Sequence, residues 1–209
     1  MVNPLLRELS DVLCPGMRIP DEIRRLYDWI HANGAVNDSW GLLTGTLDAE
    51  SDVSPACGIE FRAEGCVDLE HWFGTADPAV IRRVCVFAAT GGDGSRAAFW
   101  LDDEGRQRIV HMGSGSGSTT VCLLGETPLD FLRLLAVGYQ ELCWSGAWSA
   151  PALDYDDEPV GTDTAYRRWL EAEFGVTVPQ TGLEVATPVE MADTDPRDPF
   201  ARWLLTVEG

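Results

Sequence analysis

The sequence predicts an α+β fold in which a central, mostly antiparallel β-sheet is flanked by N-terminal and C-terminal helices. Two observations support this prediction. Between residues 84 and 124, four short apolar segments follow one another and are joined by tight turns rich in glycine, which is typical of an antiparallel meander. Before and after this region, apolar residues recur at helical spacing, which predicts amphipathic helices packed on a core.

Two helices are predicted near the N-terminus. Leu5, Leu6 and Leu9 recur at helical spacing within residues 3–13, and Pro15-Gly16 closes that segment. The second helix begins after Pro20, has acidic residues in its first turn, and ends at Asn33-Gly34. The N-terminal segment has acidic residues and no basic stretch before its apolar part, so we expect a helix and no signal peptide.

The next region predicts strands. Residues 40–47, 58–62 and 67–73 alternate in polarity and are separated by acidic turns. Clearer strands follow at residues 84–90, 95–101, 108–112 and 119–124. The glycine-rich sequences at 91–94 and 113–118 lie between strands, so we interpret them as hairpin turns. Neither has the lysine that a phosphate-binding loop needs, although the amides of the second loop leave anion binding open as an alternative.

The C-terminal third predicts further helices. Thr127 and Asp130 have the spacing of a capping box before an apolar helix. We predict that residues 1–144 form the α+β domain and that residues 145–209 form an acidic linker and a helical extension that packs on it. Helices are expected at residues 163–174 and 198–207, from the spacing of their aromatic and leucine side chains.

Charge is the most informative bulk property of the chain. Its 209 residues carry 34 acidic and 15 basic side chains, which gives a net charge of −19. Two segments hold nearly all of this charge: residues 34–80 have 1 arginine against 9 acids, and residues 146–209 have 4 against 13. Such a surface repels phosphate backbones, so direct nucleic-acid binding is not expected.

The cysteines and the hydropathy of the chain indicate the cellular compartment in which it is expected. The six cysteines are separated in sequence and form no CxxC pair, so we expect reduced, mostly buried thiols in a cytoplasmic protein. No apolar segment approaches the length of about 20 residues that a membrane span requires. We therefore predict a protein without membrane association.

No catalytic or metal-binding motif is recognisable, and we predict a protein that is not an enzyme and has no cofactor or metal. Cys57, Cys66 and His71 are the best candidate metal ligands, but their spacing matches no zinc motif. There is no GxSxG or HExxH sequence. A catalytic or small-molecule site near the tryptophans is a third hypothesis.

Several segments, taken in order, resemble the SUKH superfamily, which includes yeast regulators of cell-wall synthesis and many bacterial immunity proteins. The resemblance is carried by PDEIRRLYDW, FAATGGDG, AAFWLDDEG, TVCLLG and PLDFLRLLAVGYQELCW, and by the later AYRRWLEAEFGVTVPQTG and DPFARWL. It covers about three quarters of the chain and rests on apolar patterns and turns, without a catalytic motif. It implies an α+β fold and an immunity protein, or antitoxin, that neutralises a toxin domain, frequently a nuclease.

The candidate partner-binding residues lie in the acidic C-terminal segment and just before it. A carboxylate cluster beside an aromatic residue can pair with arginine and lysine and also make apolar contact. The alternatives are a solvated linker for the acidic residues and ordinary core packing for the tryptophans. The candidates are Trp144, Trp148, Asp154, Tyr155, Asp156, Asp157 and Glu158.

The sequence thus favours a bacterial immunity protein that binds a basic toxin domain, expected to be a nuclease, by occlusion with acidic surfaces. The alternative is an intracellular regulatory or scaffolding module that binds a protein without any toxin.

Overall fold

The computed structural model describes residues 3–39, 41–47, 58–153, 158–161 and 164–207. No helix formed by these residues is both long and apolar enough to span a bilayer. The helices are α1 (Pro4–Val12), α2 (Asp21–Ala32), α3 (Leu69–Phe73), α4 (Pro78–Ile81), α5 (Pro128–Leu135), α6 (Ala165–Phe174) and α7 (Pro199–Val207). Two 3₁₀ turns lie at Ser145–Ser149 and Gly182–Glu184.

One sheet of eight strands forms the centre of the fold. Its strands are β1 (Val36–Ser39), β2 (Leu42–Gly45), β3 (Glu60–Gly65), β4 (Val84–Ala89), β5 (Arg96–Leu101), β6 (Gln107–Met112), β7 (Thr120–Leu123) and β8 (Val189–Glu190). Each strand pairs antiparallel with the next strand in the chain. The predicted α+β class with an antiparallel meander between N-terminal and C-terminal helices is confirmed.

Helices cover both faces of this sheet. On one face, α1, α2, α5 and α6 pack against a core that includes Phe61, Phe87 and Phe99. Phe87 and Phe99 stack with their ring centroids 4.3 Å apart, and the Tyr27 hydroxyl of α2 donates to the Phe87 carbonyl at 3.3 Å. Because both faces are buried, β4 and β7 are almost entirely apolar and do not alternate.

The other face is covered by α3, α4 and α7. Its core contains Trp100 of β5, with Phe200 and Trp203 of α7 packed on it. The Trp100 and Phe200 ring centroids lie 5.3 Å apart in an edge-to-face arrangement. Residues after 144 therefore contribute to both cores, through α6 on one face and α7 on the other.

Asp198 joins α7 to the edge of the sheet. One of its carboxylate oxygens accepts from the N–H groups of Phe200 and Ala201 and so caps the helix. The other accepts from the Leu123 N–H at 2.8 Å. This N–H lies beyond the last residue of β7 that pairs with β8, so the side chain replaces a missing ladder partner.

The strand predicted over residues 67–73 was wrong, because the chain forms α3 there. Asp68 has a φ of 60°, in the left-handed region that ends a strand. Leu69 and Phe73 are four residues apart and both buried, so a helical turn places them on the second core. The sequence reasoning also missed β1, α4 and β8, which have four, four and two residues.

Candidate partner-binding site

Of the seven predicted site residues, the structure describes Trp144, Trp148 and Glu158. Asp154, Tyr155, Asp156 and Asp157 lie outside the described residues. The segments on either side of them meet, since Leu153 and Pro159 form an antiparallel bridge and the Val160 N–H donates to the Ala152 carbonyl at 3.0 Å. The residues that flank the acidic segment are thus held together. Glu158 and Leu153 at these ends are exposed.

Trp144 and Trp148 have opposite environments. Trp148 is fully buried and belongs to the first core. A Cβ placed on Gly182 would lie 3.0 Å from the Trp148 side chain, so the indole packs directly on the C-terminal backbone. The position of Trp148 agrees with the alternative interpretation, in which its ring packs the C-terminal segment on the domain. A partner cannot contact Trp148 without displacing this packing.

Trp144, in contrast, is 54% exposed. Its indole N–H donates to Glu141 Oε2 at 2.7 Å, and Glu141 Oε1 accepts from the Gly92 N–H, also at 2.7 Å. The same Glu141 side chain accepts from the Cys143 thiol at 3.4 Å. Glu141 therefore connects Trp144 to the β4–β5 turn and holds a large aromatic surface in contact with solvent.

Tyr139 fixes the backbone beneath these two tryptophans. Its hydroxyl donates to the Ala150 carbonyl at 2.7 Å and accepts from the Gly182 N–H at 2.9 Å. The two 3₁₀ turns that contain Trp148 and Gly182 are thus joined through one side chain. The surface next to Trp144 is built on this rigid support.

Asp93 organises the two glycine-rich turns. Its carboxylate accepts from the N–H and hydroxyl of Ser95, the hydroxyl of Ser114 and the N–H of Ser118, all within 3.0 Å. Partial burial alone would raise the pKa of Asp93, but these hydrogen bonds outweigh it and lower the pKa to about 2. The Ser118 amide is thus bonded to a carboxylate, which argues against the anion-binding alternative for this loop.

His111 is a buried structural histidine. Its Nδ1 lies 3.0 Å from the Thr120 carbonyl, which can only accept, so Nδ1 carries the proton. Its Nε2 then accepts from the Thr90 hydroxyl at 3.1 Å. Burial lowers the pKa of His111 to about 4, which keeps the ring neutral at pH 7.

The fold brings three of the separated cysteines together. Cys14 follows α1, Cys85 lies in β4, and the exposed Cys66 follows β3. The Cys14 thiol donates to the Val84 carbonyl at 3.4 Å and the Cys85 thiol to the Val12 carbonyl at 3.7 Å. The neighbouring Cys14 and burial raise the pKa of Cys85. All five cysteines in the described part are free thiols, and Cys57 lies outside it. Within the described part, no three His, Cys, Asp or Glu side chains are arranged to hold a metal ion.

A second surface feature was missed by the sequence reasoning. A cleft of about 180 Å³ opens between α3, the loop at residues 113–118, the β7–β8 edge and α7. It is lined mainly by apolar side chains such as Phe73 and Leu204, and also by the exposed His71, Glu190 and Asp193. Its residues come from five separate segments, and β8 is too short to show a strand pattern, so no local signal indicates it. We call it the β8 cleft.

No protein-family model, no curated protein and no solved structure matches the chain.

Proposed function

We propose that this chain is a non-catalytic immunity protein that neutralises a toxin domain by covering it with an acidic surface. The observation that carries the proposal is the imbalance between carboxylates and arginines. The chain has 34 acidic and 15 basic residues. In the described part, eight arginines form ion pairs with carboxylates of the same chain.

The excess of carboxylates over arginines gives the chain a negative electrostatic field. Such a field attracts a basic protein and raises its association rate, in a way that salt weakens. The nucleic-acid cleft of a nuclease is basic, because it has to hold phosphate groups. A nuclease toxin domain is therefore the partner class that fits this charge and the SUKH resemblance together.

Trp144 supplies an aromatic contact, which the charged groups alone do not provide. Most of the free energy of a protein interface comes from a few residues, and tryptophan is prominent among them. The hydrogen bond from its indole to Glu141 restricts the ring before any partner binds, so less conformational entropy is lost in the complex. Together with the acidic segment at residues 154–158, it forms the proposed contact surface.

An inhibitor of this kind would act in the cytoplasm, where the toxin would otherwise reach its target. The free thiols of the described part are compatible with this compartment. The three buried ones with strongly raised pKa values, Cys85, Cys122 and Cys143, are chemically protected.

The test is co-expression of the chain with each toxin domain encoded beside its gene, in a host that the toxin kills. We expect one toxin to be neutralised and to form a purified complex that dissociates as salt increases. Complete failure to protect against every neighbouring toxin would overturn the proposal and favour the regulatory or scaffolding alternative.

Charge-reversal variants separate local contact from general attraction. The variant Asp154→Lys, Asp156→Lys, Asp157→Lys changes the net charge by three times two, from −19 to −13. A matched control reverses the exposed Asp11, Asp21 and Glu171, with the same net change. We expect loss of protection only in the first variant; equal loss in both would show that these three acids make no specific contact.

A further inference from the structure

The β8 cleft has the dimensions of a site for one side chain. Its volume is about 180 Å³, and a cavity of roughly 150 Å³ is enough for a ring such as benzene. Phe73 and Leu204 lie on its interior, and the 39%-exposed Leu205 lies at its opening. An apolar group that enters the cleft would therefore lose contact with water over most of its surface.

The walls of the cleft are held in place by hydrogen bonds. The Trp72 indole N–H donates to the Gly113 carbonyl at 2.8 Å and joins α3 to the 113–118 loop. On the opposite side, the Thr119 hydroxyl donates to Glu190, and the Met191 N–H donates to the Thr119 carbonyl at 2.8 Å. Asp93 anchors the same loop from behind through Ser114 and Ser118.

The charge of the lining is one-sided. The ionisable side chains of the lining are the exposed Glu190, Asp193 and His71, and no arginine is among them. Neither carboxylate takes part in an ion pair within the described part. The cleft therefore combines apolar and aromatic side chains with two carboxylates that form no ion pair within the described part.

We propose that the β8 cleft binds an arginine side chain of the protein partner. The aliphatic stem would pack in the apolar interior, and the guanidinium would meet Glu190 and Asp193. Arginine fits better than lysine, because its planar group pairs with carboxylates through two hydrogen bonds and stacks on aromatic rings such as Trp72. This inference rests on the proposed function in so far as the arginine belongs to a basic partner.

The test uses three blocked peptides, acetyl-Gly-Xaa-Gly-amide, in which Xaa is arginine, lysine or citrulline. Citrulline has nearly the shape of arginine without its charge. Binding to the full chain is followed by two-dimensional NMR. We expect the arginine peptide to shift the Trp72 indole N–H and the amides of Gly115, Glu190 and Leu205, with a dissociation constant in the range of about 1 mM.

Variants define the role of the carboxylates. The double variant Glu190→Gln, Asp193→Asn is expected to weaken binding of the arginine peptide by about fivefold or more. The control Asp11→Asn, Glu171→Gln makes the same charge change on α1 and α6, which cover the other face of the sheet, and should leave binding unchanged. Absence of shifts in the cleft, or equal binding of the citrulline peptide, would overturn the inference.

The failure of this inference is distinguishable from the failure of the proposed function. If a toxin is neutralised equally well by the wild type and by Glu190→Gln, Asp193→Asn, the function stands and the cleft is not the arginine site. If no toxin is neutralised but the arginine peptide still binds in the cleft, the cleft's specificity stands and the immunity function does not.

Discussion

Glu141 accepts the indole N–H of Trp144 at 2.7 Å while its second oxygen accepts the N–H of Gly92 at the same distance. An exposed tryptophan is thereby tied to a turn of the central sheet. Since large exposed aromatic rings are characteristic of binding surfaces, this arrangement distinguishes Trp144 from the other tryptophan of the same segment, Trp148.

The two tryptophans should respond oppositely to substitution. Trp148→Ala is expected to lower the free energy of unfolding by about 3–5 kcal/mol, because a fully buried ring leaves a cavity. Trp144→Ala should change it by no more than about 0.5 kcal/mol, while it weakens toxin neutralisation. Urea denaturation and the co-expression assay measure the two effects. A destabilised Trp144→Ala would mean that this ring serves the fold.

The carboxylate of Asp93 should stabilise the protein in a pH-dependent way. Because the folded-state pKa is lowered to about 2, the stabilisation is present above the unfolded pKa of about 3.9 and is lost as pH falls towards 2. Asp93→Asn should cost about 1–2 kcal/mol at pH 7, after allowance for solvent screening. The difference from wild type should shrink below about pH 4. A difference that is constant between pH 7 and pH 3 would contradict this assignment.

Protonation of His111 should lower the stability of the protein at a higher pH than protonation of Asp93 does. Burial lowers the folded-state pKa of His111 to about 4, below the unfolded value of about 6.5. The unfolded chain therefore binds more protons between these values, and stability decreases as pH falls from about 6.5 to 4, by about 3 kcal/mol in total. His111→Gln removes the titrating group, so its unfolding free energy should have a flatter slope in this window. An unchanged slope would assign the pH dependence to other groups.

Asp198 should be required for docking of α7. Asp198→Ala removes the helix cap, worth about 1 kcal/mol, and leaves the Leu123 N–H without its acceptor, at a cost of about 1–3 kcal/mol. Asp198→Asn should have an intermediate stability. Its amide oxygen can still cap the helix, but its amide N–H would face the Leu123 N–H, and two donors form no hydrogen bond. Asp195→Ala, at an exposed neighbouring position, is the control. Urea midpoints give the order of stability of the variants. An Asp198→Asn variant that is less stable than Asp198→Ala would contradict this prediction.

Much of the fold could be predicted because its signals are local. The four strands between residues 84 and 124 and helices α1, α2, α5, α6 and α7 lie where turns, caps and apolar spacing indicate them. The capping box of Thr127 and Asp130 is formed as expected. The errors are at short elements: α3 has five residues and β8 has two, so tertiary packing outweighs any local pattern there.

The sequence by itself determined the α+β class, the antiparallel meander and the strongly negative charge, since periodicity, turn residues and ionisable groups are properties of neighbouring residues. Only the tertiary structure decided that Trp148 is buried and Trp144 exposed, that Glu141 and Asp93 bind turns distant in sequence, and that residues of five segments form the β8 cleft. These are contacts between distant parts of the chain. Their energies depend on which surfaces the folded sheet and helices bring together, and no local pattern encodes that choice.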